Sequence, residues 1–321
     1  MNNVSIIIPA YNAESTIQEC LQSVTIIKWS GELEVILVND GSTDRTAEIA
    51  ASFSGVNTIN VPHRGAAGAT NLGIKAAHND IVVLVDADVV LEKDWLEKII
   101  PVFADPSVAA AGGSVVTANK SIIGKIAGYD VELRLSKAPT DIDHLPTANT
   151  AYRRQILLEV GLLNEEMKAG YDADLSRRLK AAGYRLILKK DTRCRHYWKD
   201  NLKDYLRQQY NYAYYRMILA RKFGKAYDQI TGPGMILQLP FTILVVLFAI
   251  FGSLVFSWAP LALFLMLIIH LPETFSLLYR RKDIRVLLLP LVFTIRNLCW
   301  VWATTVWGIK YLTRSAPPTD S

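Results

Sequence analysis

The chain is poor in cysteine. Cys20, Cys194 and Cys299 are odd in number and widely spaced over 321 residues. No zinc spacing, redox motif or disulfide framework can be built from them, so they read as reduced thiols in a cytosol-facing protein. A signal-peptide pattern is also missing, because Met1-Asn-Asn leads straight into an apolar strand pattern; the front of the chain is therefore expected on the cytosolic side. Internal repeats and low-complexity segments are absent. Acidic residues nearly vanish after residue 231. Residues 232–321 hold only Glu273, Asp283 and Asp320, against seven basic residues, so the tail carries +4 of the net +5. That basic excess flanks apolar segments, which favours an anionic membrane surface over nucleic acid as the partner.

What is present divides at the same place. Residues 1–231 are mixed in composition and alternate between strand and helix patterns. Val4–Pro9, Leu33–Val38, Thr58–Val61, Ile81–Val85, Val108–Val116 and Arg185–Leu188 read as strands. Glu14–Val24, Thr43–Ser52, Gly65–Ala77, Trp95–Phe103, Arg153–Gly161 and Asp174–Ala182 read as helices. A short helix is expected near Ile122–Leu135 within an otherwise irregular stretch. Alternation with short links predicts an α/β fold with a parallel sheet. Ligands of such sheets bind beyond the carboxyl ends of the strands. Pro9–Asn12, Asn39–Ser42 and Asp86–Asp88 all fall on that edge.

The most informative of these clusters is Asp86-Ala-Asp88, directly after the apolar run Ile81–Val85. In an extended strand residues i and i+2 point the same way, so both carboxylates would face one spot. They repel and lose hydration there unless a cation lies between them. Oxygen ligands suit Mg²⁺ or Mn²⁺, with a diphosphate completing the shell. The same residues would also serve as a solvated loop that caps a helix starting near Lys93.

The tail reads as membrane helices. Met235–Trp258 has ~24 uncharged residues, enough to span ~30 Å of hydrocarbon. Ser257-Trp-Ala-Pro260 is an uncharged turn, and Leu261–Tyr279 is a second span interrupted by His270, Pro272 and Glu273. The basic loop Arg280–Arg285 is expected in the cytoplasm by the positive-inside rule. Val286–Ile309 carries Arg296 and Asn297, so it either spans with Arg296 facing protein or lies at the interface, which Lys310 and Arg314 favour. Ahead of the tail, a Tyr- and Arg/Lys-rich helix over about 201–225 suits the headgroup region.

Together the motifs resemble the inverting, GT-A fold glycosyltransferases of family 2, over roughly residues 3–225, and the tail is similar to that of bacterial and archaeal membrane-bound members. The expected organisation is a GT-A domain, 1–225, followed by a transmembrane region, 232–321. Ser5-Ile-Ile-Ile-Pro-Ala-Tyr-Asn12 resembles the opening strand whose end cradles the nucleotide base, implicating Pro9, Tyr11 and Asn12. Val38-Asn-Asp-Gly-Ser-Thr-Asp44 is similar to the segment whose first aspartate, here Asp40, bonds the base. Asp86-Ala-Asp88 resembles the metal and diphosphate motif, with Asp88 on the metal and Asp86 on ribose or the metal. Gly170-Tyr-Asp-Ala-Asp174 resembles the acceptor segment and gives Asp172 the role of general base; an N-cap for the 174–182 helix is its structural alternative. His196 resembles a histidine that closes the metal site in some relatives, though a lone histidine is also a common structural residue.

The resemblance implies a nucleotide-sugar donor, a UDP-sugar first and a GDP-sugar second. It also has departures. Tyr171 stands where the family usually has glutamate. In His63-Arg-Gly-Ala-Ala-Gly-Ala-Thr-Asn71, Thr70 replaces a frequent arginine, leaving Arg64 as the phosphate-facing cation beside Asn71. Pro146-Thr-Ala-Asn149 lacks the glycine of the segment under the donor sugar but keeps Asn149. Gln208-Gln-Tyr-Asn-Tyr212 lacks the arginine and tryptophan of processive synthases, which implies transfer of one sugar. The expected protein is a multi-pass membrane enzyme with a cytoplasmic catalytic domain and a lipid-linked acceptor. A sugar-phosphate nucleotidyltransferase would open with a Gly-rich basic loop, which Pro9–Asn12 is not. A catalytically inactive nucleotide-sugar scaffold is the other alternative, against which Asp40, Asp86, Asp88 and Asp172 all stand.

Overall fold

The computed structural model describes residues 3–224, 228–252 and 259–313. The chain forms two units, Met1–Asn119 with Asp130–Trp198, and Lys120–Tyr129 with Lys199–Ser321.

The first unit opens as its sequence pattern predicts. Strands β1 (Val4–Ala10), β2 (Leu33–Asp40), β3 (Val56–Val61) and β4 (Ile81–Val85) alternate with helices α1 (Ile17–Thr25), α2 (Thr46–Ala51) and α3 (Ala66–Ala76). β1 runs parallel to β2 and to β4, and β2 parallel to β3. Successive residues Ile6, Ile7 and Ile8, and likewise Val82, Val83 and Leu84, are all buried. Burial at consecutive positions means that both faces of these strands are covered, which is why they read as unbroken apolar runs.

Beyond β4 the alternation stops. There follow β5 (Val89–Leu91), α4 (Trp95–Ile99) running into a 3₁₀ turn, β6 (Val108–Thr117), α5 (Ile122–Lys137), β7 (Asp141–Ile142), β8 (Asn149–Arg153), α6 (Arg154–Glu159), α7 (Tyr171–Ala181) and β9 (Arg185–His196). The sheet order is β3-β2-β1-β4-β8-β6-β9-β5, with β7 on β9. β8 is antiparallel to β4 and β6, and β5 is antiparallel to β9. The sheet is therefore mixed, not parallel as expected. β9 continues eight residues past its expected end at Leu188 by pairing with β6 through a register shift at Gly113/Ser114. α7 begins at Tyr171, ahead of the expected Asp174, because Gly170 turns the chain into the helix from the left-handed region (φ 75°).

α7 is fastened by one buried ion pair. Arg178 Nε donates to Asp174 Oδ2 at 2.8 Å, and its Nη atoms donate to the carbonyls of Val160 and Leu162. Asp174 is 1% exposed, so the guanidinium is its compensation for lost water.

In the second unit, α8 (Leu202–Phe223), α9 (Gly232–Gly252), α10 (Ala259–Ile268), α11 (Leu271–Arg281) and α12 (Leu289–Thr313) follow one another. α8, expected to close the front domain, instead belongs with the tail. Its Ala213 packs with Trp300 and Ala303 of α12, and Gln209 Oε1 accepts the Trp300 indole N–H at 3.2 Å. Among the described residues one helical run, Ile284–Thr313, is long and apolar enough to cross a membrane. Pro260–Ile268 and Leu271–Arg281 pass that test only together, as a pair bent by 45°, with the break at the expected His270–Pro272 interruption. The apolar stretch of α9 is shorter, Leu237–Ala249. The end of the expected 235–258 span, the first half of the turn at 257–260, Lys225 and Arg314 lie outside the described residues.

Asp174→Ala is expected to destabilise the first unit by ~1–3 kcal/mol, since it strands Arg178 among carbonyls. Thermal unfolding of the purified full-length chain checks this; an unchanged midpoint would show that the ion pair does not hold α7.

Candidate active site

β4 ends at Val85, so Asp86 and Asp88 lie in a tight turn and not in the strand. The turn is closed by Val89 N–H donating to Asp86 O at 3.0 Å, and Asp86 N–H donates to Ala148 O at 3.1 Å. This turn, not strand alternation, makes the carboxylates converge. β5 then pairs Val89 with His196 at the end of β9, and Tyr197 N–H donates to Asp88 O at 2.9 Å. His196 Nε2 lies 3.1 Å from Asp88 Oδ1, and its ring packs against Trp198 at 4.0 Å. One ligand atom each from Asp86, Asp88 and His196 fall within 4.8 Å of one another, all three residues being half-buried. Two carboxylate oxygens and an imidazole nitrogen so placed fit a divalent cation such as Mg²⁺ or Mn²⁺.

The negative charge reaches the wall behind the turn. Cys20 donates its thiol to Asp86 O at 3.6 Å. Burial, with Asp88 and Asp86 nearby, pushes that thiol up. Burial also pushes Cys194 up to about 12 despite its bond from Asn149. Both cysteines are structural neutral thiols, as their spacing suggested.

A second cluster forms at the ends of β1 and β2. Asp40 is buried, and its carboxylate accepts the backbone N–H groups of Arg64 (2.6 Å) and Gly65 (2.9 Å) at the start of α3. His63 Nδ1 is 2.9 Å from Asp40 Oδ2. Tyr11, half exposed, lies against the His63 ring at 4.3 Å. Gly41 is required here, because its φ is 72° and a Cβ would meet His63 N at 2.9 Å. Pro9 pairs with Val38 just inside this edge. The Asn12 amide oxygen accepts Thr43 N–H at 2.8 Å, and its backbone N–H donates to Ser42 Oγ at 3.1 Å, tying the two loops. The Arg64 guanidinium is half exposed and 4.0 Å from Glu165.

Two of the sequence candidates are fully engaged in the scaffold. Asn71 accepts Leu163 N–H at 3.0 Å and donates to Leu163 O and Glu165 Oε1, each at 2.9 Å. Asn149 is buried opposite Val85 and donates to Ser114 O and Cys194 Sγ.

Asp172 occupies the first turn of α7, so it is inside the helix and not its cap. Its Oδ1 accepts Ala173 N–H at 2.8 Å. Its Oδ2 lies 3.3 Å from Nε2 of His144, a residue that no sequence signal singled out. The phenol of Tyr152, on β8, is pushed up by burial and by the charges of Asp172 and Asp86.

A sheet with its ligand edge at the ends of β1, β2 and β4, and an acidic turn at that edge, defines a GT-A type nucleotide-sugar transferase fold. Residues 5–161 match the family model described as Glycosyl transferase family 2. Among curated relatives, the Pre-mycofactocin glycosyltransferase of Mycobacterium tuberculosis is 28% identical over 64% of this chain and 44% of its own length. Glycosyltransferase AglE of Haloferax volcanii is 29% identical over 59% of this chain and 64% of its own. The Poly-beta-1,6-N-acetyl-D-glucosamine synthase of Staphylococcus aureus is 29% identical over 58% and 48%. The chain therefore matches less than two thirds of the length of these relatives. The solved structure of mannosyltransferase PcManGT from Pyrobaculum calidifontis, in complex with GDP-Man and Mn²⁺, superposes with a TM-score of 0.63 at 21% identity, covering 98% of this chain and 88% of that one. This last likeness concerns the fold.

Mn²⁺ titration followed by electron paramagnetic resonance checks the metal cluster. Asp88→Ala is expected to lose binding, and His196→Ala to weaken it by at least about tenfold, a loss seen even for outer-shell partners. Affinity unchanged in both variants would remove the cluster as a metal site.

Proposed function

We propose that the chain is a metal-dependent inverting glycosyltransferase. It moves one sugar from a nucleoside-diphosphate donor to a lipid-linked acceptor, a polyprenyl phosphate or a lipid-linked oligosaccharide, at the cytoplasmic face of a membrane. The observation that carries this reading is the convergence of Asp86, Asp88 and His196 at the carboxyl edge of the sheet.

The chemistry follows from the residues. The aromatic pair Tyr11 and His63 beside Asp40 offers a face for a nucleotide base, and Arg64 is exposed enough to reach a phosphate. A UDP-sugar is the proposed donor, with a GDP-sugar as the second arm of the test. A divalent cation held by Asp86, Asp88 and His196 would offset the charge of the departing diphosphate. On a lipid-linked oligosaccharide, Asp172 takes the proton of the acceptor hydroxyl as its oxygen attacks the anomeric carbon; a polyprenyl phosphate would attack through an oxygen already ionised. The bond from that carbon to the diphosphate breaks, and the nucleoside diphosphate leaves on the opposite face, which inverts the anomeric centre. Arg64, Asn71 and Asn149 shape the donor side, the last two through the loops and strands that they fix.

The lipid acceptor and multi-pass location rest on the second unit. Ile284–Thr313 is apolar and long enough to cross a membrane, and Arg280–Arg285 is basic, suiting the cytoplasmic surface. An enzyme anchored there meets its lipid substrate in two dimensions, which raises the effective concentration.

Nucleotide release by detergent-purified protein, given a panel of UDP- and GDP-sugars, Mn²⁺ or Mg²⁺ and extracted membrane lipids, tests the proposal. Metal- and lipid-dependent release from one donor is expected, falling about 10²–10⁴-fold in Asp172→Asn. Pyrophosphate release from a nucleoside triphosphate would mean nucleotidyl transfer instead. Donor binding without turnover, together with an Asp172→Asn variant that still functions in cells, would make the chain a scaffold.

A further inference from the structure

The proposed base has a partner that the reaction scheme above does not use. His144 lies in the loop between β7 and β8, remote in sequence from Asp172, and its side chain is 13% exposed. The loop is fixed on both sides. Ile142 pairs with Leu186 of β9, and Thr150 Oγ1 donates to Pro146 O at 2.7 Å. Between these points Leu145 N–H donates to Ser176 Oγ at 3.2 Å, a buried bond to the helix that carries Asp172. The histidine and the aspartate thus stand on segments tied directly to each other.

The geometry at the carboxylate is specific. Oδ1 is committed to Ala173 N–H and Oδ2 faces His144 Nε2 at 3.3 Å. A carboxylate offers about four lone-pair sites, so the remaining ones stay available for an acceptor hydroxyl. Asp174 on the same helix is held by Arg178.

We propose that His144 is a positioning residue for Asp172. Its Nε2–H holds the carboxylate plane toward the acceptor site and leaves the proton-accepting lone pairs outward. The proposal rests on the assignment of Asp172 as base. The 3.3 Å contact is an ion-pair separation and not an aligned hydrogen bond, in keeping with catalytic hydrogen bonds that align and tighten only when substrate binds.

The test uses the full-length protein with the donor and lipids of the release assay. His144→Leu is expected to lower kcat about 10- to 100-fold, the cost of a misplaced catalytic group, with donor KM, Mn²⁺ affinity and thermal midpoint unchanged. His144→Gln, which keeps a donor near the Nε2 position, is expected to recover most of kcat. Adding His144→Leu to Asp172→Asn is expected to cost nothing further, because the two residues act as a unit. An activity-independent arm follows the His144 imidazole by NMR across pH. Coupling requires its titration to move to lower pH in Asp172→Asn, since an adjacent carboxylate favours the imidazolium. Full kcat in His144→Leu, a Gln variant as defective as the Leu variant, or an unmoved imidazole titration would overturn the proposal while leaving the base assignment standing. Full turnover in Asp172→Asn would instead overturn that assignment.

Discussion

Two carboxylates held together at the end of a buried strand form an unfavourable arrangement, and the surrounding sheet is built to impose it. Asp86 and Asp88 repel each other, and the wall behind them is dry enough to hold Cys20 as a neutral thiol. Backbone bonds on three sides fix the turn: to Ala148 before β8, within the turn to Val89, and to Tyr197 after β9. No relaxation of one loop can separate the acids without breaking sheet contacts. A fold that maintains like charges in this way gains nothing in stability from them, which is the physical reason to assign them to a ligand.

The mixed sheet is a consequence of the same requirement. β9 runs parallel to β6, which like β4 is antiparallel to β8, so the carboxyl ends of β4 and β9 lie at the same edge of the sheet. The antiparallel pairing of β5 with β9 sets Val89 opposite His196, and so delivers an imidazole to Asp88. Insertion of β8 beside β4 sets Asn149 opposite Val85, the last residue before the diacid turn. Topology after Val85 thus serves the site more than the core.

This explains which parts were legible in the sequence. β1, β2 and β4 are apolar runs buried on both faces, and such runs announce themselves. β8 reads Asn-Thr-Ala-Tyr-Arg, β5 has three residues and β7 two; none has a pattern long enough to separate strand from loop. Asp86, Asp88 and His196 were readable because a short motif places the first two together and family resemblance supplies the third. The reason given for their convergence, strand alternation, was wrong, since a hydrogen-bonded turn does that work. Asp172 was singled out by its motif, while its helix begins earlier than propensity suggested because Gly170 supplies the left-handed turn. His144 was not readable. Nothing in Asp143-His-Leu-Pro146 signals proximity to α7, and only the pairing of β7 with β9 and the Leu145–Ser176 bond create it.

The second unit shows how a residue that argues against a membrane span can be accommodated within one. Arg296, in α12, is 2% exposed. Its Nη2 donates to Gln238 Oε1 of α9 at 2.8 Å, and its guanidinium lies over Phe293 at 3.8 Å and Trp300 at 4.5 Å, on the turns before and after it. Asn297 Nδ2 reaches His270 Nε2, at the break between α10 and α11, at 3.3 Å. A neutral amide oxygen and two ring faces lower the cost of burying the cation. If these helices lie in lipid, as proposed, they have no hydrophobic preference among themselves, and polar bonds of this kind would decide which faces meet. Arg296 and Asn297 then act as the register between α9, the α10–α11 break and α12. The polar interruption that weakens α12 as an isolated apolar stretch is what ties it to its neighbours, and it favours the option in which Arg296 faces protein over one in which α12 lies exposed at the interface.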